Sequence, residues 1–280
     1  MASLDNKTTE DMKIQVAFAL QEDIGDLDIT AQLIPESQHI VANVISREFA
    51  ILCGQPWVEE VFRQLDESVI LTWHFQEGHA LSENQVFLTL EGNARSILTA
   101  ERTALNFLQT LSATATVTHK YASLVADSKL TILDTRKTLP GLRHAQKYAV
   151  RIGGGQNHRL GLYDAFLIKE NHIMAAGSIV NAVSMAKEIA PGKPIEVETE
   201  NLSEVAMAVS AGVDIIMLDN FSYEDMTLAV KQYGHGVKFE ASGNMDQDKL
   251  IRVAQTGVDF VSIGALTKHV QAIDLSLRVA

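Results

Sequence analysis

The stretch "IEVETENLSEVAMAVSAGVDIIMLDN" (195–220) holds two short apolar runs, Ile195–Val197 and Ile215–Leu218. Each ends on a carboxylate, Glu198 and Asp219. Segment 202–211 between them is rich in Ala and Val with an acid near its start, as an amphipathic helix should be. Apolar runs without alternation suit strands covered on both faces, as in a parallel sheet. Reading outward, similar runs precede Asp134 ("LTIL"), Lys169 ("AFLI"), Ser242 ("VKFEA") and Gly264 ("FVSI"), and helical stretches are expected at 178–190, 224–232 and 246–256. From Ile195 onward the runs start every 20 to 23 residues, the length of a βα unit with short loops.

Repeated βα units build either a barrel or a doubly wound sheet, and both carry their chemistry at the C-terminal strand ends. Polar residues recur at the end of every strand here, which favours the barrel; a doubly wound sheet would gather them at one switch point. Six or seven units are evident, short of eight. The first half is mixed α+β. Thr8-x-x-Asp11 reads as a helix start ahead of Met12, Val16 and Leu20. Pro56 opens a helix striped by Val58, Val61, Phe62 and Leu65, and "SVILTWHF" alternates as a half-buried strand. A long helix is expected over 98–111, its packed side marked by Leu98, Leu105, Leu108 and Leu111.

With 280 residues and 46% apolar composition, the chain has the make-up of an ordinary globular protein. A net charge of −12 argues against general nucleic-acid or membrane-surface binding. One cysteine, Cys53, cannot build a disulfide framework and fits a reducing cytoplasm. Lys7, Glu10, Asp11 and Lys13 interrupt any signal-peptide core in residues 1–20, and no apolar run is long enough to span a bilayer.

Against that acidity, Arg136, Lys137, Arg143, Lys147, Arg151, Arg159 and Lys169 crowd one segment with a single acid, Asp164, among them. The early strand ends offer cations (Thr135-Arg136-Lys137, Lys169) and the middle ones carboxylates (Glu198, Asp219). The last two offer small residues with free backbone N–H groups: Ser242-Gly243-Asn244 and Gly264-Ala265-Leu266. Loops after the final barrel strands are the usual phosphate cradle. Glu198 and Asp219 suit Mg²⁺, a hard cation that takes one or two carboxylates plus substrate oxygens. Together these residues suggest a phosphorylated, heavily anionic substrate with a metal partner. Glu196 shares a strand face with Glu198 and reads as a supporting or structural residue. Gly153–Gly155 lacks the pattern of a nucleotide loop, and His158 and His172 form no zinc pair. Lys169 at the end of an apolar strand leaves a Schiff-base enzyme open as a rival. A polyanion-binding protein is a weaker one, since Tyr148 is the sole aromatic between Arg136 and Arg159.

The blocks "ERTALNFLQTLSATAT" (101–116), "LDTRKTLPGLRHAQKYAVRIGGGQNHRLGLYDAFLIKENHI" (133–173), "IEVETEN" (195–201), "IIMLDN" (215–220), "EASGN" (240–244) and "SIGALTKH" (262–269) closely resemble the quinolinate phosphoribosyltransferase family, as does "QEDIGDLDITAQLIP" (21–35). One departure is visible: Ser112-Ala113-Thr114-Ala115-Thr116 stands where the family usually reads Ser-Gly-Ile-Ala-Thr, in what reads as a loop after the 98–111 helix. The resemblance implies an α/β protein with an N-terminal α/β sandwich (1–112, with 271–280 packing back on it) and an incomplete, about seven-stranded β/α barrel (113–270). It implies transfer of phosphoribosyl from 5-phosphoribosyl 1-pyrophosphate to quinolinate with decarboxylation, using Mg²⁺. It also implies a homodimer, with hexamers a further option, in which Arg102 reaches the neighbouring subunit's site. On this resemblance Arg102, Arg136, His158, Arg159 and Lys169 hold quinolinate, and Lys137 serves the phosphoribosyl side. Glu198 and Asp219 engage the ribose and Mg²⁺, with Lys137, Lys169, Glu198 and Asp219 catalytic. Thr135 joins the substrate-binding set, and the backbone at Ser242, Gly243, Asn244, Gly264, Ala265 and Leu266 cradles the 5-phosphate. Lys268 or His269 reaches the pyrophosphate. The nearest rival is a paralogous phosphoribosyltransferase acting on another heterocycle.

Overall fold

The computed structural model describes residues 4–280. In chain order its elements are α1 (Asn6–Ile24), β1 (His39–Ser46), β2 (Ala50–Ile51), α2 (Gln55–Leu65), β3 (Ile70–Trp73), β4 (Ala80–Leu81), β5 (Val86–Asn93) and α3 (Ala94–Leu124). Then come β6 (Thr131–Leu133), α4 (Arg143–Ile152), β7 (Phe166–Ile168), α5 (Glu170–Ala176), α6 (Ile179–Ile189), β8 (Ile195–Thr199) and α7 (Leu202–Ala211). The last are β9 (Ile215–Asp219), α8 (Tyr223–Tyr233), β10 (Lys238–Ser242), α9 (Gln247–Thr256), β11 (Phe260–Ser262), α10 (Ala265–Lys268) and β12 (Leu275–Val279).

The chain divides into two compact units. The first takes residues up to His119, Thr138–Gly154 and Leu266–Ala280. Its antiparallel sheet runs β12-β1-β5-β3, so the C-terminal strand lies on the edge beside β1. Trp57, Phe62, Phe87 and Leu108 are fully buried in its core, joined by Ala145, Tyr148 and Ala149 of α4. Helix α1 begins earlier than Thr8: Asp5 is the cap, accepting from the Thr8 backbone N–H at 2.7 Å. Helix α3 is far longer than expected, at 31 residues. Its buried stripe is Ile97, Ala100, Ala104, Leu108, Leu111 and Ala115, so Leu98 falls off the packed side and is 36% exposed. Residues 112–116 are therefore helix rather than loop. They stay helical while serving β2: Ser112 Oγ accepts from Cys53 N–H at 3.0 Å, and Thr116 Oγ1 from Ile51 N–H at 2.8 Å.

The second unit, Lys120–Lys137 with Gly155–Ala265, carries the βα repeats. All six apolar runs form parallel strands, in the order β6-β11-β10-β9-β8-β7, with α6 to α9 in the connections. Alternation puts Glu196 and Glu198 on one face, with Met217, Asp219, Glu240 and Ser242 in register beside them. Val197, Ile216, Leu218 and Phe239 face the other way and are buried. In place of a seventh strand there is a single parallel bridge, Leu133 to Gln156, on the outer edge of β6. Gln156 N–H donates to Ile132 O at 2.8 Å, and Asp134 N–H to Gln156 O at 3.2 Å. Pairing stops there because the buried Asp134 carboxylate captures the next residues, accepting from Asn157 Nδ2 and from His158 N–H. Segment 157–165 thus crosses from one sheet edge to the other instead of extending the ladder. Among the described residues no helix is long and apolar enough to cross a membrane.

Candidate active site

Strands β6 to β11 all run the same way, so their C-terminal ends meet at one end of the second unit. A cavity of about 320 Å³ opens there, lined by Thr135, Arg136, Lys137, His158, Arg159, Lys169, Ser242 and Ser262. Arg136 and Lys137 follow β6, with Lys137 N–H turning back onto Thr135 Oγ1 at 3.1 Å. Gly264 after β11 packs close to Lys137: a Cβ there would lie 3.1 Å from Lys137 Cδ, which would have to give by a few tenths of an ångström, and 3.6 Å from Thr135 Oγ1. Gly243 takes φ +151°, and a side chain there would meet Asn220 Oδ1 at 3.0 Å. Both last-strand loops therefore bring bare backbone to this end.

Segment 157–165 supplies His158 and Arg159. Asp164 folds it by accepting from Leu160 N–H (2.6 Å) and Gly161 N–H (3.0 Å), and Arg159 Nη1 donates to Ala165 O at 3.3 Å. Burial, and then the Arg136 charge, lower the Arg159 guanidinium below its usual range, yet leave it a cation. His158 is held from three sides. Its N–H reaches Asp134, its Nδ1 accepts Arg159 N–H at 2.8 Å, and its Nε2 lies 2.8 Å from Glu196 Oε2. His172 plays a structural part, its Nδ1 accepting Lys169 N–H at 2.9 Å at the start of α5.

Glu198 stands beside one of these cations and Asp219 ends the next strand; neither is among the residues lining the cavity. Lys169 Nζ is ion-paired with Glu198, whose strand neighbour Asp219 ends β9 and accepts from Asn220 Nδ2 at 3.0 Å. Glu198 also borders a second groove, of about 440 Å³, lined by Glu170, Glu200 and Glu204. Neither carboxylate belongs to a ready-made three-ligand group. They suit a hard cation that draws its other ligands from substrate and water.

Not every expected residue is in this unit. Arg143, Lys147 and Arg151 lie on α4 in the first unit, where Lys147 is buried. A helix unrecognised in the sequence carries three of the seven cations. Arg102, Leu266, Lys268 and His269 also belong to the first unit, with Arg102 on α3 and largely exposed. Asn244 is exposed and its carbonyl accepts from Lys249 Nζ at 3.0 Å. Sequence reading missed Glu240, a carboxyl buried completely on β10 beside the cavity wall. The signal was an acid inside the apolar run "VKFEA".

Two family models match the chain: the quinolinate phosphoribosyl transferase N-terminal domain over residues 28–112 and its C-terminal domain over 114–278. A protein of Synechocystis described as a probable nicotinate-nucleotide pyrophosphorylase (carboxylating) is 42% identical over 264 residues, covering 93% of this chain and 90% of its own. The nicotinate-nucleotide pyrophosphorylase (carboxylating) of Mycobacterium leprae is 39% identical, covering 92% and 94%. Among solved structures, the nicotinate-nucleotide pyrophosphorylase of Francisella tularensis is 50% identical, with a TM-score of 0.95 over 99% of this chain and all of that one.

Proposed function

This chain belongs to the quinolinate phosphoribosyltransferase family, and we propose that the cavity at the strand ends of its second unit is where the reaction takes place. The enzyme is a pentosyltransferase of NAD synthesis. It moves phosphoribosyl from 5-phosphoribosyl 1-pyrophosphate to quinolinate, releasing pyrophosphate and CO₂ and leaving nicotinate mononucleotide. One observation carries the assignment of the site: Arg136, Lys137, Arg159 and Lys169 line one cavity together with His158.

Quinolinate brings two adjacent carboxylates and the sugar donor a phosphate and a pyrophosphate. In a low-dielectric cleft such polyanions repel unless fixed cations stand between them. Arg136, Arg159 and Lys169 hold quinolinate, the guanidiniums through paired N–H donors, with His158 lining the pocket beside them. Each charge-assisted bond contributes roughly 1.5–3 kcal/mol. Lys137 faces the phosphoribosyl side, and the backbone at 242–244 and 264–266 cradles the 5-phosphate.

As pyrophosphate leaves, Glu198 and Asp219 stand close to the positive charge developing on the ribose, and Lys137 and Lys169 oppose the leaving negative charge. The quinolinate ring nitrogen then attacks, and the resulting pyridinium draws in the electrons released with CO₂. Positioning and electrostatics suffice, with no dedicated base. Glu198 and Asp219 would also hold Mg²⁺, which when bound supplies charge neutralisation for the pyrophosphate. Lys169 lines one cavity with Arg136, Lys137, His158 and Arg159, a cation set that suits polyanion binding and that a Schiff-base lysine would not need.

The protein works as a homodimer on this reading, Arg102 of one protomer completing its partner's acceptor pocket. Support comes from its exposed position on α3 and from the exposed Ile14 and Phe18 on α1. A cytoplasmic setting agrees with Cys53, a buried free thiol. Arg136→Ala and Arg159→Ala test the site: each should raise the KM for quinolinate roughly ten- to a hundredfold. Unchanged KM values in both would remove the cavity from consideration.

A further inference from the structure

Glu240 is completely buried, and neither of its carboxyl oxygens has a hydrogen-bond partner; Oε1 of Glu196 is in the same position. Both carboxyls face Nε2 of His158, Glu196 at 2.8 Å and Glu240 at 3.5 Å. The chemistry above uses neither. One histidine and two carboxylates within 4.8 Å of one another could in principle ligate a divalent metal. The other ring nitrogen decides against that. Nδ1 accepts the Arg159 backbone N–H at 2.8 Å, so the proton of the neutral ring sits on Nε2 and points at Glu196. A metal at Nε2 would need the opposite tautomer, whose Nδ1–H would meet the Arg159 N–H head-on.

We infer that Glu240 is a positioning residue: a neutral carboxyl that, together with Glu196, holds His158 in its Nε2–H tautomer and thereby fixes the ring and the Arg159 backbone at the anion cavity. Charge explains why one of the two acids must be neutral. An ionised carboxylate without hydrogen bonds or water is costly. Burial and the Glu196 charge push Glu240 up to about 8, so it keeps its proton at neutral pH. A second negative charge beside His158 would also oppose the binding of an anion in the cavity that His158 lines. The inference rests on the assignment of His158 and Arg159 to the acceptor.

The test is a ¹⁵N-histidine NMR spectrum of the full-length protein, the His158 signal identified by its loss in His158→Asn. Wild type should show a protonated Nε2 and a bare Nδ1 at neutral pH. Glu240→Leu should lose this fixed tautomer and raise the quinolinate KM roughly tenfold or more, with kcat changed by less than about threefold. Glu240→Gln, which keeps the neutral shape and a donor, should restore both. A proton on Nδ1 in wild type overturns the inference. So does a Glu240→Leu enzyme with wild-type tautomer and KM, or stoichiometric Zn²⁺ uptake that His158→Asn abolishes. If the leucine variant does not fold, the wild-type tautomer and the glutamine variant decide. A tautomer that responds to Glu240 while KM does not would keep the dyad and remove His158 and Arg159 from the acceptor site.

Discussion

Lys137 and Glu240 mark the two kinds of residue in this site, one facing substrate and one facing away from it. Lys137 sits against Gly264, and on the proposed reading it faces the phosphoribosyl side, so Lys137→Ala should lower kcat on the order of a hundredfold while shifting quinolinate KM less than about threefold. Steady-state kinetics in which only that KM rises would contradict it. Glu240 gives a pH signature of its own, the groups facing it being Glu196 and His158. Its folded pKa, about 8, lies above the ordinary 4.5. Between those values the unfolded chain has released a proton that the folded protein keeps. Folding stability tied to this group is thus intact below the lower value and declines as pH rises toward the higher one. Thermal melts should show Glu240→Gln gaining on wild type across that window, with no gap below it. At this scale the sequence was readable where chemistry announces itself, as in Arg136-Lys137 and Lys169, while His158 entered only through the family resemblance. It hid Glu240, because one acid in an apolar run does not reveal which face it takes or what it meets there.

Among the elements, the six parallel strands were legible because burial on both faces leaves an unbroken apolar run that ends on polar residues. Helix α4 was not. Its start has no side-chain cap, and its basic residues, Arg143, Lys147 and Arg151, read as a loop gathering cations. Helix α3 was recognised but cut short, since Ser112 and Thr116 resemble the polar end of a helix. In the fold their hydroxyls serve the backbone of Cys53 and Ile51 instead. Ser112→Ala should therefore leave a buried N–H unsatisfied and destabilise the protein by about 1–3 kcal/mol in chemical denaturation. An unchanged denaturation midpoint would mean that this bond contributes nothing.

For the molecule as a whole, the sequence changes from mixed patterning in its first half to recurring apolar runs in its second, and the fold divides into two compact units. The return of 138–154 to the first unit was not visible, because nothing local marks a segment that leaves one core for another. The proposed homodimer is open to direct test through Arg102. Mixing Arg102→Ala with Lys137→Ala protomers by co-refolding should restore about a quarter of wild-type activity, since half the dimers would be hybrids with one complete site each. No restoration would mean that Arg102 does not act across an interface. The central claim concerns the acceptor, and a paired assay addresses it most directly. The enzyme is given 5-phosphoribosyl 1-pyrophosphate and Mg²⁺, with quinolinate in one reaction and nicotinate in the other. Nicotinate mononucleotide and CO₂ should form from quinolinate alone; equal turnover of nicotinate would show that the cation set does not select a dicarboxylate, contradicting the account.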